Sequence, residues 1–461
     1  MASTNARLTT GPVGRQMIGM TVPVLFGILM MMSQAFVDAY FIGRVGDAEL
    51  AALGFAFPIL LIVSSVAIGL GAGTSSVVAR AIGANNHHRA KRLVTDSLIL
   101  SFFITVVVCA VGFVTIDPLF RLLGAPQSML PLIAGYMHIL YVGVPFVVVG
   151  MVGMSSMRAT GDTRLPSMLM VLIAIINVIL DPILIFGLGP APEMGLNGAA
   201  MAALIARGTI FVGMLYFLRV RFDMLSFRRA KLAELKTSWG DILHVGIPAA
   251  GTNVIIPIAL AVITAMLARY GPEAVAGFGV ASRIEALMLV MFYALSATIG
   301  PFVGQNLSAG KPERIFRALR LSTGFCLVAG LLIAVILAVM SKMLPALFSD
   351  NPAVTDVTTL FLLVAPIGYG TYGMVMVMNA SFNGMGKPMP AVFISVARMA
   401  VIYVPLAFLL DHWYGIAGIF AAYTVTNIFS GILAYVWANA SVNGQCEKYS
   451  VASMTTETDP A

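Results

Sequence analysis

Twelve runs of predominantly apolar residues, each about 20 residues or longer, leave this chain few folds to choose from. They lie at about 17–42, 52–78, 94–116, 128–153, 166–187, 195–218, 242–268, 274–303, 319–340, 355–380, 391–410 and 415–438. A hydrocarbon core about 30 Å thick is crossed by about 20 helical residues. In lipid only helices or closed barrels satisfy their own backbone. The expected fold is therefore an all-α integral membrane protein with twelve transmembrane helices. Composition agrees: 59% of residues are hydrophobic and 10% charged, with mean hydropathy +0.95. A soluble domain carries about 25% charged residues. A soluble enzyme, a nucleic-acid binder and a disordered scaffold are excluded on that ground. The first run is too long for a signal-peptide core and has no small-residue cleavage site, so it reads as a retained span.

Twelve spans put both ends on one side, and the charges say which. With the termini inside, the inner segments hold twenty of the 27 Lys and Arg residues, six of them in the central loop between Arg219 and Lys236. The outer loops hold four: Arg44, Arg121, Arg269 and Lys342. Cytoplasmic loops collect Lys and Arg, so both termini are expected in the cytoplasm. The basic balance, with a pI near 9.4, then records orientation rather than a nucleic-acid partner. The polar stretch from about 440 to 461 reads as an unstructured tail. Cys109, Cys326 and Cys446 are far apart in sequence, and no disulfide framework or zinc site is indicated.

Shifting the sequence against itself by 225 residues brings Pro23 onto Pro248, Gly46 onto Gly271, Ala72 onto Ala297 and Gly161 onto Gly386. Past the fourth span the shift drops to 220, where Gly195, Gly198 and Ala202 meet Gly415, Gly418 and Ala422. The chain thus reads as a first lobe at 1–220, a cytoplasmic linker at 221–240, a second lobe at 241–438 and the tail at 439–461. Each lobe holds six spans, an even number, so both enter from the same face, and repeats of this kind build transporters.

A charge at the centre of a spanning helix costs about 2.5–3.5 kcal/mol on insertion scales, so acids there need a reason. Asp38 lies toward the outer end of span 1. Asp181 lies in span 5, one helical turn after Asn177 and just before Pro182, which frees a backbone carbonyl nearby. Their depths allow Asp38 and Asp181 to meet inside the first lobe. Two close carboxylates in a low dielectric cannot both stay ionised, which is what a proton carrier requires. At the 225 shift their counterparts are Ile263, Ile402 and Leu406, all apolar, so the titrating site is expected in the first lobe alone. Gln34 and Tyr40 flank Asp38 as accessory polar groups. Arg283 and Glu285, in span 8, are two apart and do not face each other; they are held as accessory polar groups too. Arg207 and Arg398 are expected to snorkel or pair.

Gly69-Leu70-Gly71-Ala72-Gly73 lies inside an apolar run with no strand before it, so close helix packing is expected rather than phosphate binding. Gly384-Met385-Gly386-Lys387-Pro388 lacks the Ser or Thr of a P-loop. With no ATP motif, energy is expected from an ion gradient. Methionines such as Met374, Met376 and Met378 read as packing, a few as adaptable cavity lining.

Asp38-Ala39-Tyr40-Phe41-Ile42-Gly43-Arg44-Val45-Gly46, followed by Leu50 to Gly54 and Pro58, resembles the first-span motif of MATE (multidrug and toxic compound extrusion) transporters. Ser156-Met157-Arg158-Ala159-Thr160-Gly161-Asp162 resembles the motif after span 4. Ala281-Ser282-Arg283-Ile284-Glu285 and Pro301-Phe302-Val303-Gly304-Gln305-Asn306 are similar to the DinF-like branch. The resemblance covers about 16–438. It implies the MATE fold and an antiporter of the bacterial inner membrane that expels cationic or amphipathic drugs in exchange for H⁺ or Na⁺. Asp38 maps on the coupling acid, Asn177 and Asp181 on its span-5 partners. Around Ile256 and Tyr372, where other relatives carry further acids, the chain is uncharged. Ala203 stands where some relatives have a sodium-binding Thr, which favours H⁺. No cofactor is implied beyond the coupling ion, and the expected partners are drugs or organic cations, H⁺ and the bilayer, with the protein a monomer. The competing expectations are a Na⁺-coupled exporter, a lipid or polysaccharide flippase, a channel, and an intramembrane aspartyl protease using Asp38 and Asp181. The protease would need a Gly-x-Gly-Asp that Leu180-Asp181-Pro182 lacks.

Overall fold

The structure, a computed structural model, describes residues 6–226 and 231–457, with side chains described to Gly444. Arg228 and Arg229, counted among the inner charges, lie outside the described residues, as do the side chains of Cys446 and Lys448. The described backbone is helical throughout its regular elements. The first half runs α1 (Val13–Val45), α2 (Asp47–Gly83), α3 (His87–Leu122), α4 (Leu130–Ala159), α5 (Arg164–Phe186) and α6 (Leu196–Val220). The second runs α7 (Leu232–Leu267), α8 (Pro272–Met288), α9 (Val290–Ser308), α10 (Pro312–Met340), the single turn α11 (Met343–Ala346), α12 (Pro352–Val364), α13 (Tyr369–Gly384), α14 (Met389–Val396), α15 (Val404–Tyr414) and α16 (Ile416–Glu457).

Eleven helical segments are long and apolar enough to span a membrane, and α8 with α9 makes a twelfth, bent by 45°. The sequence showed that eighth span as one run. Its bend falls at Leu289, whose N–H bonds to the Glu285 carbonyl while both Phe292 and Tyr293 donate to the Leu289 carbonyl. Three elements form the tenth span: α12, a 3-10 turn at Ala365–Gly368 containing Pro366, and α13. The eleventh carries a π-helical turn at Ala397–Tyr403 between α14 and α15. Such turns widen the backbone spiral and recur at functional sites. The last helix continues to Glu457, so the expectation of an unstructured stretch from about 440 does not hold for the backbone. Past residue 440 its least favourable helix former, Gly444, costs only about 1 kcal/mol, which an already nucleated helix tolerates.

Two compact units divide the chain. One holds Val22–Ala250; the other holds Leu8–Thr21 and everything from Gly251. The expected boundaries, at 220 and 241, are therefore displaced: α1 changes unit just before Pro23, and the start of α7 stays with the first unit. In the second unit the chain start is tied down by polar contacts. Gln305 accepts from the Leu8 N–H at 3.2 Å, Asn306 donates to the Leu8 carbonyl at 3.1 Å, and Arg314 donates to the Gly11 carbonyl at 2.7 Å. This is a structural task for the Gln305-Asn306 pair of the second motif.

Glycines carry the repeat in three dimensions. Gly161 and Gly386 take φ of 90° and 74°, and Gly195 and Gly415 take 52° and 57°, a backbone that side chains disfavour. A Cβ on Gly198 would strike the Leu184 carbonyl, and one on Gly418 the Leu410 carbonyl. The same turn, demanding the same residue, occurs twice. Gly69 sits where a Cβ would come within 2.5 Å of the Gly246 carbonyl, and Gly73 lies against Ile242. The glycine-rich run inside α2 is thus a close α2–α7 contact, as its apolar setting suggested.

Candidate functional site

Within the first unit, α1 touches α5 at separate points. Gly27 leaves room for Met170, whose Sδ would lie 3.1 Å from an added Cβ, and Phe41 packs edge-on against Phe186 at 6.1 Å. Between these contacts the carboxyl groups of Asp38 and Asp181 lie within interaction range of each other. Asp181 and Asn177 are each only 1% exposed. Asp38 is half-buried, and Gln34, one turn earlier on α1, donates its amide to Asp38 Oδ2 at 3.3 Å. Asn177 donates to the Ile173 carbonyl at 2.9 Å and has no partner for its Oδ1.

Asp38 Oδ1 and Asp181 Oδ2 are both buried without a donor. A carboxylate only accepts, so two of them in contact hold together through a proton. Unpaired, a buried charge of this kind costs several kcal/mol. Two further groups stand around the pair. Tyr136, on α4, and Arg207, on α6, both lie within electrostatic reach of Asp38, and Tyr136 also of Asp181. Arg207, expected to snorkel or pair, thus lies on the side of the acids. Tyr136 carried no signal in the sequence, because a tyrosine in an apolar run looks like packing. Tyr40 lies apart from the pair: it is 60% exposed, with the Arg44 guanidinium 5.7 Å above its ring.

The second unit also contains a polar cluster, which the apolar counterparts of Asp38, Asn177 and Asp181 had not foretold. Glu285, on α8, accepts a 2.6 Å hydrogen bond from the Tyr423 hydroxyl on α16. Arg398, in the π-helical turn, is 3% exposed, lies 4.2 Å over the Tyr372 ring and donates to Asn427 at 2.9 Å. It does not snorkel. Arg283, two residues before Glu285, is exposed, in keeping with the opposite faces expected of the pair. Cys109 and Cys326 are buried and unbridged.

Comparisons with known proteins agree with this architecture. The MatE family model matches twice, over 23–183 and over 248–409, so its two starting points are the repeat-related Pro23 and Pro248. A FAD transporter of Shewanella oneidensis is 41% identical over 94% of this chain and 95% of its own length. The multidrug export protein MepA of Staphylococcus aureus is 23% identical over 88% of this chain and 89% of its own. Among solved structures, the Vibrio cholerae MATE transporter VcmN in the bent form superposes with a TM-score of 0.89 at 32% identity, covering 94% of this chain and 98% of that one. A matched family model in each half, a shared twelve-helix fold and full-length relatives together place the chain: it belongs to the MATE family of membrane transporters and is not an enzyme.

Proposed function

We propose that this transporter is a proton-coupled exporter whose coupling site is the Asp38–Asp181 pair, with Asn177 and Gln34 as its hydrogen-bonding neighbours. The observation that carries the reading is the closeness of a half-buried and a fully buried carboxyl group, each with one buried oxygen that no donor reaches. A proton taken up there from the outer side neutralises the pair, relaxes the hold on α1 and lets cargo leave. Release of the proton to the inner side restores a negative charge and resets the site. The loss of a hydroxyl at Ala203 and the need for a shared proton favour H⁺ over Na⁺. The bias of twenty inner against four outer basic residues supports an inner-membrane protein with both ends in the cytoplasm. The motifs at Ala281–Glu285 and Pro301–Asn306 support the DinF-like branch.

Two cargo classes have support. Cationic or amphipathic drugs suit an anionic site in the first unit and the relatives named for multidrug export. FAD has the stronger claim from similarity, because the relative named a FAD transporter is 41% identical against 23% for the drug exporter. Both are tested in one experiment: cells expressing the protein are loaded with ethidium or assayed for released flavin, with the pH gradient intact or collapsed. Export that stops when the pH gradient collapses supports the reading. Export that persists, or that follows Na⁺ alone, overturns it.

A further inference from the structure

The polar groups of the second unit are poised as donors with nothing to receive them. Arg398 spends one terminal nitrogen on Asn427 Oδ1, yet its Nε is buried without a partner. Asn427, 0% exposed, uses its oxygen on Arg398 and leaves its Nδ2 donor unpartnered as well. Two side chains already hydrogen-bonded to each other, one of them a guanidinium, therefore each keep a buried N–H group with no acceptor. On the same face of α16, Thr426 and Ser430 carry buried hydroxyls without partners, and the Tyr369 hydroxyl of α13 is in the same condition. Each such group left dry costs about 1–3 kcal/mol, so this concentration calls for an acceptor that is not part of the protein.

Glu285 is not that acceptor. It lies within electrostatic reach of Arg398 but is bonded to Tyr423, and no ion pair joins the two among the described residues. Its through-space repulsion of an incoming anion is weaker than direct donation at contact distance. The Tyr372 ring covers one face of the guanidinium and leaves its planar edge, including the buried Nε, to make in-plane hydrogen bonds. That fork geometry matches phosphate and carboxylate. The position of Arg398 on a π-helical turn gives the edge a backbone that can widen or tighten by one hydrogen bond.

We propose that Arg398 and Asn427 form an oxyanion-binding site in the second unit that receives the phosphate or carboxylate of an aromatic cargo. The site deepens the export reading by giving one of its cargo classes a recognition element, and it rests on that reading for the word cargo alone. It implies a division of labour, with proton chemistry in the first unit and anion recognition in the second.

The test uses the purified full-length protein in detergent, with binding read by thermal unfolding and by flavin fluorescence. The probes are FMN, riboflavin (the same ring without phosphate) and inorganic phosphate. FMN is expected to bind at least tenfold more tightly than riboflavin, and phosphate to compete with FMN. Arg398→Gln should remove that difference. Because this variant can unfold a buried network, Asn427→Asp is the second arm: it places a carboxylate of the protein itself against Arg398, so it should stay folded and lose FMN binding tenfold or more. If phosphate displaces FMN, the oxyanion is the recognised group; if it does not while the FMN preference persists, the phosphate must arrive attached to the ring, which also supports the site. Equal affinity for FMN and riboflavin, or unchanged FMN binding by Asn427→Asp, overturns the proposal. Failure here would leave pH-driven ethidium export intact, whereas failure of the coupling reading would abolish the pH dependence without touching FMN binding.

Discussion

The two units are copies in backbone and opposites in chemistry. Where α1 meets α5 the first unit brings two carboxyl groups close together, one fully and one half-buried, with Arg207 and Tyr136 nearby. The second fills the corresponding positions with Ile263, Ile402 and Leu406, and places its charges elsewhere, as Glu285 on α8 and Arg398 on the π-helical turn. An internal duplication preserves what the backbone demands, such as the left-handed glycines at 161 and 386, and frees the side chains to diverge. A cluster of acids holds protons; a guanidinium beside an amide holds oxyanions. Two sites with different affinities allow a carrier to bind its ion and its cargo without direct competition for the same groups.

The sharpest way to break this contrast is to neutralise one acid in the first unit. Asp38→Asn should lower pH-driven export by about 100-fold or more, to the background of the assay, a change of at least about 2.7 kcal/mol in the coupled step, with normal membrane levels. Asp181→Asn should cost about tenfold, since Asp38 remains to carry a proton. Both are read as export rates from cells or vesicles. In the second unit, Glu285→Gln should leave the pH dependence of export in place while lowering thermal stability by about 1 kcal/mol, because the charge-assisted hydrogen bond from Tyr423 becomes a neutral one. Loss of pH dependence in that variant would erase the distinction between the units. Gly198→Ala and Gly418→Ala should each destabilise by about 1–3 kcal/mol, and by similar amounts, as measured by unfolding in detergent. A large effect in one and none in the other would contradict the shared packing of the two halves. The smallest effect is expected at Tyr40→Ala, which should change export less than twofold, since its exposed ring touches neither acid.

Much of this was readable before any coordinates. The repeat follows from the matches at a shift of 225, and the span number and the two acids of the first unit from the cost of putting polar groups in lipid, which makes Asp38 and Asp181 conspicuous in an apolar background. The meeting of the two acids could be argued from depth alone, since both lie a known number of residues along their helices. Tyr136 and Arg398 could not be found that way. Tyrosine is equally at home in packing, and for an arginine inside a span the sequence leaves open whether it snorkels or pairs, and with what. Only the crossing of helices distant in sequence brings Arg398 to Asn427 and Tyr372, or Tyr136 to Asp38. The bend at Leu289 and the π-helical turn escaped for a related reason: hydropathy records how apolar a run is, not how its hydrogen bonds are shared out. The helical continuation to Glu457 was masked by its polarity, which argues for exposure and says nothing about backbone form.

The claim on which the rest depends is that protons drive transport through the first unit's acid pair. Purified protein in vesicles, loaded with FAD or ethidium and subjected in turn to an imposed pH gradient and an imposed Na⁺ gradient, measures it directly. The account requires substrate movement under the pH gradient, none under Na⁺ alone, and none under either with Asp38→Asn. Movement that ignores the pH gradient, or that survives in Asp38→Asn, would contradict it.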